Sequence, residues 1–296
     1  MQRNVVNLTL VLGILFVITA CVCPSQRNNQ STSESNTTEQ PVVAGKSTPE
    51  TANTPSKTNG DRKKDAGDLI AQHETVSNSR YSEIDRQIKQ EKLLERAADG
   101  LNQALILPHD IYLKSKDCGE VNAFYKSDEQ SVTVCYELME QFFHDFKSSG
   151  YDDKKAYDMM FDATRFVFLH EVGHALIDVY KLPITANEED AADRCSSFIN
   201  LEELGDDGVK AVLAAAEAFQ IESRASSGHA HNMADEHLLQ EQRFYNSLCM
   251  LYGSNPDKYT MIVDKGYLPK ERAARCPTEY QRTVDSWQSL LEPWRK

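Results

Sequence analysis

His170-Glu171-Val172-Gly173-His174 stands inside a stretch, Asp152 to Tyr180, that reads as one long helix stopped by Pro183. Four residues make slightly more than one helical turn, so both imidazoles leave the same face and can reach a single cation at about 2.0–2.1 Å. Glu171 lies off that axis, toward the water that would fill an open coordination position. Beyond a proline-bearing turn, Asn187-Glu188-Glu189-Asp190-Ala191-Ala192-Asp193 opens the next helix, read as Asn187 to Leu204. Glu189 and Asp193 share one face of it. That spacing suits one carboxylate as a third metal ligand and a second that orients a histidine ligand through its other ring nitrogen. Glu188 is the alternative one residue earlier, disfavoured because position 192 is Ala and brings no second carboxylate.

Working outward, the chain before these helices is mixed. Ile84, Ile88, Leu93, Leu94, Ala97, Leu101, Ala104 and Leu105 recur near helical spacing from Tyr81 until Pro108 ends the pattern. Structure is expected to begin near Tyr81. Asp110 to Lys116 alternates as a strand, and Val121 to Tyr125 with Ser131 to Cys135 reads as a β-hairpin around Lys126 to Gln130. Helices follow at Leu138 to Lys147, in the two segments above, at Asp207 to Arg224 and at Glu236 to Tyr252, with a loop at Ser226 to His231. The expected fold is a single α+β domain over residues 67–296, small sheet first and mostly helices after.

The 296 residues carry a formal charge of −13. Residues 1–66 hold seven Lys/Arg against five Asp/Glu, so the remainder carries −15 and offers no basic stripe for nucleic acid. A mean hydropathy of −0.53 excludes a multi-pass membrane protein. Arg3 followed by the apolar run Val5 to Ala20 and then Ile18-Thr19-Ala20-Cys21 resembles a bacterial lipoprotein signal. It implies a signal peptide at 1–20, lipidation of Cys21 and residence in the cell envelope, at the outer membrane facing the periplasm in a Gram-negative host. Residues 21–66, rich in Ser, Thr, Asn, Gln and Pro, read as a flexible polar tether. In an oxidising envelope Cys118 is expected to pair with Cys135 across the hairpin and Cys249 with Cys276, leaving Cys195 a buried thiol. No C-x-x-C spacing supports a thiolate metal site instead.

H-E-V-G-H followed by E-D-A-A-D resembles the gluzincin branch of zinc metallopeptidases, and Asn122-Ala123-Phe124-Tyr125 resembles the edge strand of thermolysin-like enzymes. From about Leu107 to Pro277 the chain is similar to a bacterial domain-of-unknown-function family of metallopeptidases, through C-G-E-V-N-A-F-Y, V-C-Y-E-L, H-E-V-G-H-A-L-I-D, E-E-D-A-A-D and D-E-H-L-L-Q-E-Q-R-F-Y-N. The resemblance implies a zincin-like fold with one Zn²⁺ held by His170, His174 and Glu189, Glu171 as general base and Asp193 behind a ligand. It also implies an extended peptide substrate held by Asn122, Ala123 and Phe124. A further oxyanion donor is expected on a later helix. His237 is the candidate, with Asp235 or Glu236 orienting it and Arg243 or Tyr245 in reserve. His229 and His231 read as a solvated loop pair, and His73, His109 and His144 receive no role. The competing function is a zinc-containing envelope lipoprotein that binds extended peptides without cutting them. Glu171 favours the enzyme, because a binding module needs no carboxylate between two ligands.

Overall fold

The architecture is carried by one helix that is buried on almost every side. In the computed structural model, which describes residues 63–185, 187–225 and 236–296, Asp153–Tyr180 forms this helix. In chain order the elements are β1 (Leu69–His73), α1 (Ser82–Glu91), α2 (Leu93–Ala104), β2 (Ile111–Lys116), β3 (Ala123–Lys126), β4 (Ser131–Cys135), α3 (Tyr136–Ser148), α4 (Asp153–Tyr180), α5 (Glu188–Glu203), α6 (Gly205–Ala225), α7 (Gln240–Ser254), α8 (Thr260–Asp264), α9 (Lys270–Ala273) and α10 (Cys276–Leu291). Asp152 caps α4, its Oδ1 accepting from Lys155 N–H at 2.8 Å. Lys181 then ends the helix in the left-handed conformation. Between these caps α4 packs on α3, α5, α6 and the β3–β4 side of the sheet. With neighbours all round, it buries Phe166, Phe168, Val172 and Leu176 on different faces, so no single apolar stripe marks it.

The sheet runs β1-β2-β4-β3, with β1, β2 and β4 parallel and β3 antiparallel to β4. The α+β class and the hairpin are as expected. β4 is interior and buried along its whole length, whereas β3 is an edge. Register decides what that edge shows. Cys135 N–H donates to Asn122 C=O at 3.1 Å, which places hydrogen-bonded pairs at 122/135, 124/133 and 126/131. The main-chain groups of Ala123 and Tyr125 therefore turn to the open side.

Several boundaries differ from the sequence reading. Structure starts before Tyr81: β1 pairs with β2, but only Leu69 of its five residues is buried, so it carries almost no alternation. Contacts begin earlier still than residue 67, since Asp65 meets Lys296 at 2.7 Å and the Lys63 ammonium lies 3.9 Å over the Trp294 ring. The helix expected from Tyr81 to Leu105 is two, broken at Lys92 with φ 52°. The helix expected from Glu236 begins at Gln240, and beyond its end at Ser254 stand α8, α9 and α10, which the sequence reading did not place. The proposed signal, Cys21, the tether through Arg62, His229, His231 and Asp235 lie outside the described residues. Among the described residues no helix is long and apolar enough to cross a membrane.

Cys118 is bonded to Cys135 and Cys249 to Cys276, while Cys195 is a buried free thiol whose proton affinity burial raises. The first bridge ties the segment entering β3 to the end of β4. Replacing Cys118 and Cys135 together by Ser should lower unfolding free energy by about 2–4 kcal/mol. A native-state thiol count should find Cys195 alkylated only after denaturant is added. Rapid labelling of Cys195 in the folded protein would contradict its burial.

Candidate metal centre

α4 and α5 cross closely at Gly173. A Cβ on Gly173 would stand 3.1 Å from Ala192 Cα and from Cys195 Cβ, so the backbones approach because neither helix places a large side chain there. This brings the first two turns of α5 beside the H-E-V-G-H turn of α4. Asn187 caps α5 through Glu189 N–H, donated to Asn187 Oδ1 at 2.8 Å. Its other amide atom, Nδ2, donates to Glu236 C=O at 2.6 Å and holds the segment that carries His237.

Three donor atoms converge. His170 Nε2 lies 3.1 Å from Glu189 Oε2 and 3.2 Å from His174 Nε2, and His174 Nε2 lies 3.4 Å from the same Glu189 oxygen. Ligands about 2.0–2.1 Å from a tetrahedral cation stand roughly 3.3 Å from one another, so the triangle fits such an ion. The far nitrogens each meet a carboxylate. His170 Nδ1 meets Asp193 Oδ1 at 2.8 Å, and His174 Nδ1 meets Glu188 Oε1 at 2.8 Å. With each Nδ1 directed at its carboxylate, each Nε2 is the nitrogen left to face a cation at the centre. Two lone pairs and a carboxylate oxygen aimed at one point need positive charge between them. The ring of His170 shows this demand in its proton affinity. Burial pulls it down, but Asp193 and Glu189 outweigh burial and raise the value to about 9. Glu189 is pushed up by burial, yet His170, His174 and His237 together hold it far below the ordinary carboxylate range.

Glu171 sits beside this triangle rather than in it, with Oε1 4.0 Å from His170 Nε2. Burial raises its proton affinity, partly offset by the two imidazoles and by the nearby backbone N–H of Tyr125. The carboxylate thus faces the open side of β3. Tyr125 donates its hydroxyl to Asp178 Oδ2 at 2.8 Å, which fixes the edge strand to α4. Of the expected edge residues, Ala123 and Tyr125 face outward through their backbone, while Asn122 Oδ1 accepts from Ala123 N–H at 2.9 Å. Phe124 lies on the opposite strand face, under the Lys126 ammonium at 5.2 Å.

His237 is brought to the site, with Nε2 3.0 Å from Glu189 Oε2 and its ring stacked at 6.2 Å on His170. Arg243 is not a reserve oxyanion donor. Its Nε and Nη2 both donate to Asp193 at 2.8 Å, and it is buried with its guanidinium carbon 4.1 Å over Phe219. Tyr245 packs on Phe244. Sequence reasoning thus missed Arg243 as the counterion of Asp193, Glu188 as partner of His174 rather than a displaced ligand, and Asn187 as a link between α5 and His237.

His170, His174 and Glu189, on two packed helices beneath a sheet edge, form a donor set able to hold a metal ion, with the Glu171 carboxylate beside it. The chain belongs to the family described as "Putative metallopeptidase", whose sequence model matches residues 73–291. No curated protein and no solved structure matches it.

Asp193 is raised by burial but brought well below the usual range by Arg243 first and His170 next. A depressed folded value contributes stability that is present above the unfolded pKa and lost as pH falls through the folded one. Arg243→Ala would strand this buried carboxylate and should destabilise by about 3–5 kcal/mol. Arg243→Lys should recover only part of it, because a single ammonium cannot make both hydrogen bonds. Urea unfolding at neutral pH measures both, and a near-neutral Arg243→Ala would show that Asp193 does not depend on its partner.

Proposed function

We propose that the protein is a zinc metallopeptidase that hydrolyses peptide bonds in an extended chain laid along β3, with Glu171 as general base. The observation that carries this reading is the convergence of His170, His174 and Glu189 on one point, with Glu171 beside them and facing the open edge of β3. When bound, zinc supplies Lewis acidity that polarises a carbonyl and acidifies water. His170, His174 and Glu189 hold it, with Asp193 and Glu188 fixing the two rings. The outward carbonyls of Ala123 and Tyr125 accept N–H groups of the substrate backbone, as an added strand requires, and Asn122 stands at the entrance of that edge. Phe124 bounds it from the other strand face.

Glu171 accepts a proton from the attacking water as the water oxygen bonds to the scissile carbonyl carbon. It then delivers that proton to the leaving nitrogen as the C–N bond breaks, so a carboxylate and an amine leave. A burial-raised proton affinity suits this exchange, because a carboxylate that holds a proton more tightly is a better base. His237, half-exposed at the rim of the ligand set, donates to the developing oxyanion. The two disulfides suit an oxidising envelope, which is where lipidation of Cys21 would anchor the domain on its tether.

Glu171→Gln should fold and retain one zinc per chain while turnover of a cleavable peptide falls by about 10²–10⁴-fold. His174→Ala should lose the zinc. His237→Ala should lower the rate by about 10²–10³-fold with substrate binding little changed. A peptide library cut equally well by wild type and Glu171→Gln would exclude this mechanism. Zinc-loaded protein that binds extended peptides and cuts none would favour the non-catalytic alternative.

A further inference from the structure

His237 lies outside regular secondary structure, in the short segment that precedes α7 at Gln240. Its imidazole is half-exposed, yet Nε2 stands 3.0 Å from Glu189 Oε2 and the ring stacks on His170. A side chain on an irregular segment keeps one position only where the backbone on both sides of it is held. Both sides are held here. After His237, Gln242 Oε1 accepts from Leu239 N–H at 3.1 Å and Leu239 C=O accepts from Arg243 N–H at 3.0 Å. Before it, Glu236 C=O accepts from Asn187 Nδ2 at 2.6 Å. His237 is bracketed by its own helix on one side and by α5 on the other.

The α5 bracket comes from the residue that also caps that helix. Asn187 Oδ1 accepts from Glu189 N–H at 2.8 Å, and Asn187 C=O accepts from Ala191 N–H at 3.2 Å. Asn, Asp and Ser fill an N-cap about equally well, because each offers a side-chain oxygen. Only the carboxamide adds a separate donor. Asp has none, and the Ser hydroxyl is one bond shorter and cannot span both partners. One planar group therefore fixes the backbone of Glu189 through its oxygen and the backbone beside His237 through its nitrogen. Helix capping alone does not call for that second contact.

We propose that Asn187 is a positioning residue for His237: its carboxamide holds that imidazole over Glu189 and His170, and so acts on the rate without touching the substrate. The kinetic consequence rests on the peptidase reading above, whereas the placement of His237 rests on the two amide contacts alone.

Asn187→Asp and Asn187→Ser each keep a capping oxygen and remove the donor, and both are made in the full chain. Both should retain one zinc per chain and wild-type thermal stability. On a cleavable peptide kcat should fall about three- to tenfold with KM little changed, the size that one exposed neutral hydrogen bond allows. Equal losses in the two variants separate the missing donor from the added charge of Asp. In a His237→Ala background neither change should lower the rate further, because the two residues act as one unit. NMR of metal-free, histidine-labelled protein reads the placement without catalysis: the His237 ring resonances should shift in both variants while those of His174 stay. A wild type that cuts no peptide would contradict the peptidase reading, and the His237 shift would then still support the placement. Unmoved His237 resonances, loss of zinc in Asn187→Ser, or a rate loss that adds to that of His237→Ala would overturn the role of Asn187.

Discussion

The close approach of α4 and α5 at Gly173 is the constraint on which the rest of the site depends. H-E-V-G-H fixes two imidazoles on one helix, but a third donor has to come from a different element. It reaches them only if the two backbones touch. Gly173 against Ala192 permits that contact, and Glu189 then arrives over the imidazole pair with Asp193 one turn below. Any side chain beyond Cβ at position 173 would separate the helices and open the donor triangle, even though residue 173 coordinates nothing.

From this contact a line of buried charge runs through the domain: His170 on α4, Asp193 on α5, Arg243 on α7 and the face of Phe219 on α6. Each member would be costly to bury alone and is stabilised by the next. The line makes the orientation of His170 a property of four helices rather than of one rotamer. His174 is held differently, by Glu188, whose side chain is half-exposed. The two ligands are thus unequal: one is fixed deep in the core and the other lies nearer solvent, where a substrate would enter beneath β3.

Much of this was legible because it is local. The i, i+4 spacing of His170 and His174, the same spacing of Glu189 and Asp193, the Asn187 cap and the hairpin bridged by Cys118 and Cys135 are all set within a few turns of chain. What escaped the sequence depends on contacts made at long range or by single residues. Arg243 lies fifty positions from Asp193 on a helix whose pattern gives no hint that an arginine faces inward. Glu188 precedes the expected ligand by one residue, so its reach toward His174 Nδ1 depends on how α5 is rotated over α4. β1 has one buried residue and no alternation, and the break at Lys92 lies in the middle of an unbroken helical pattern. The edge role of Tyr125 follows from register, which the motif alone does not carry.

His170, His174 and Glu189 together would hold one cation in a mixed nitrogen and oxygen environment. X-ray absorption at the zinc edge of the metal-loaded protein tests it directly. This donor set gives a four-coordinate first shell at about 2.0–2.1 Å with the multiple-scattering signature of two imidazoles and no sulfur. A sulfur shell at about 2.3 Å, or a six-coordinate oxygen shell without imidazole scattering, would contradict it.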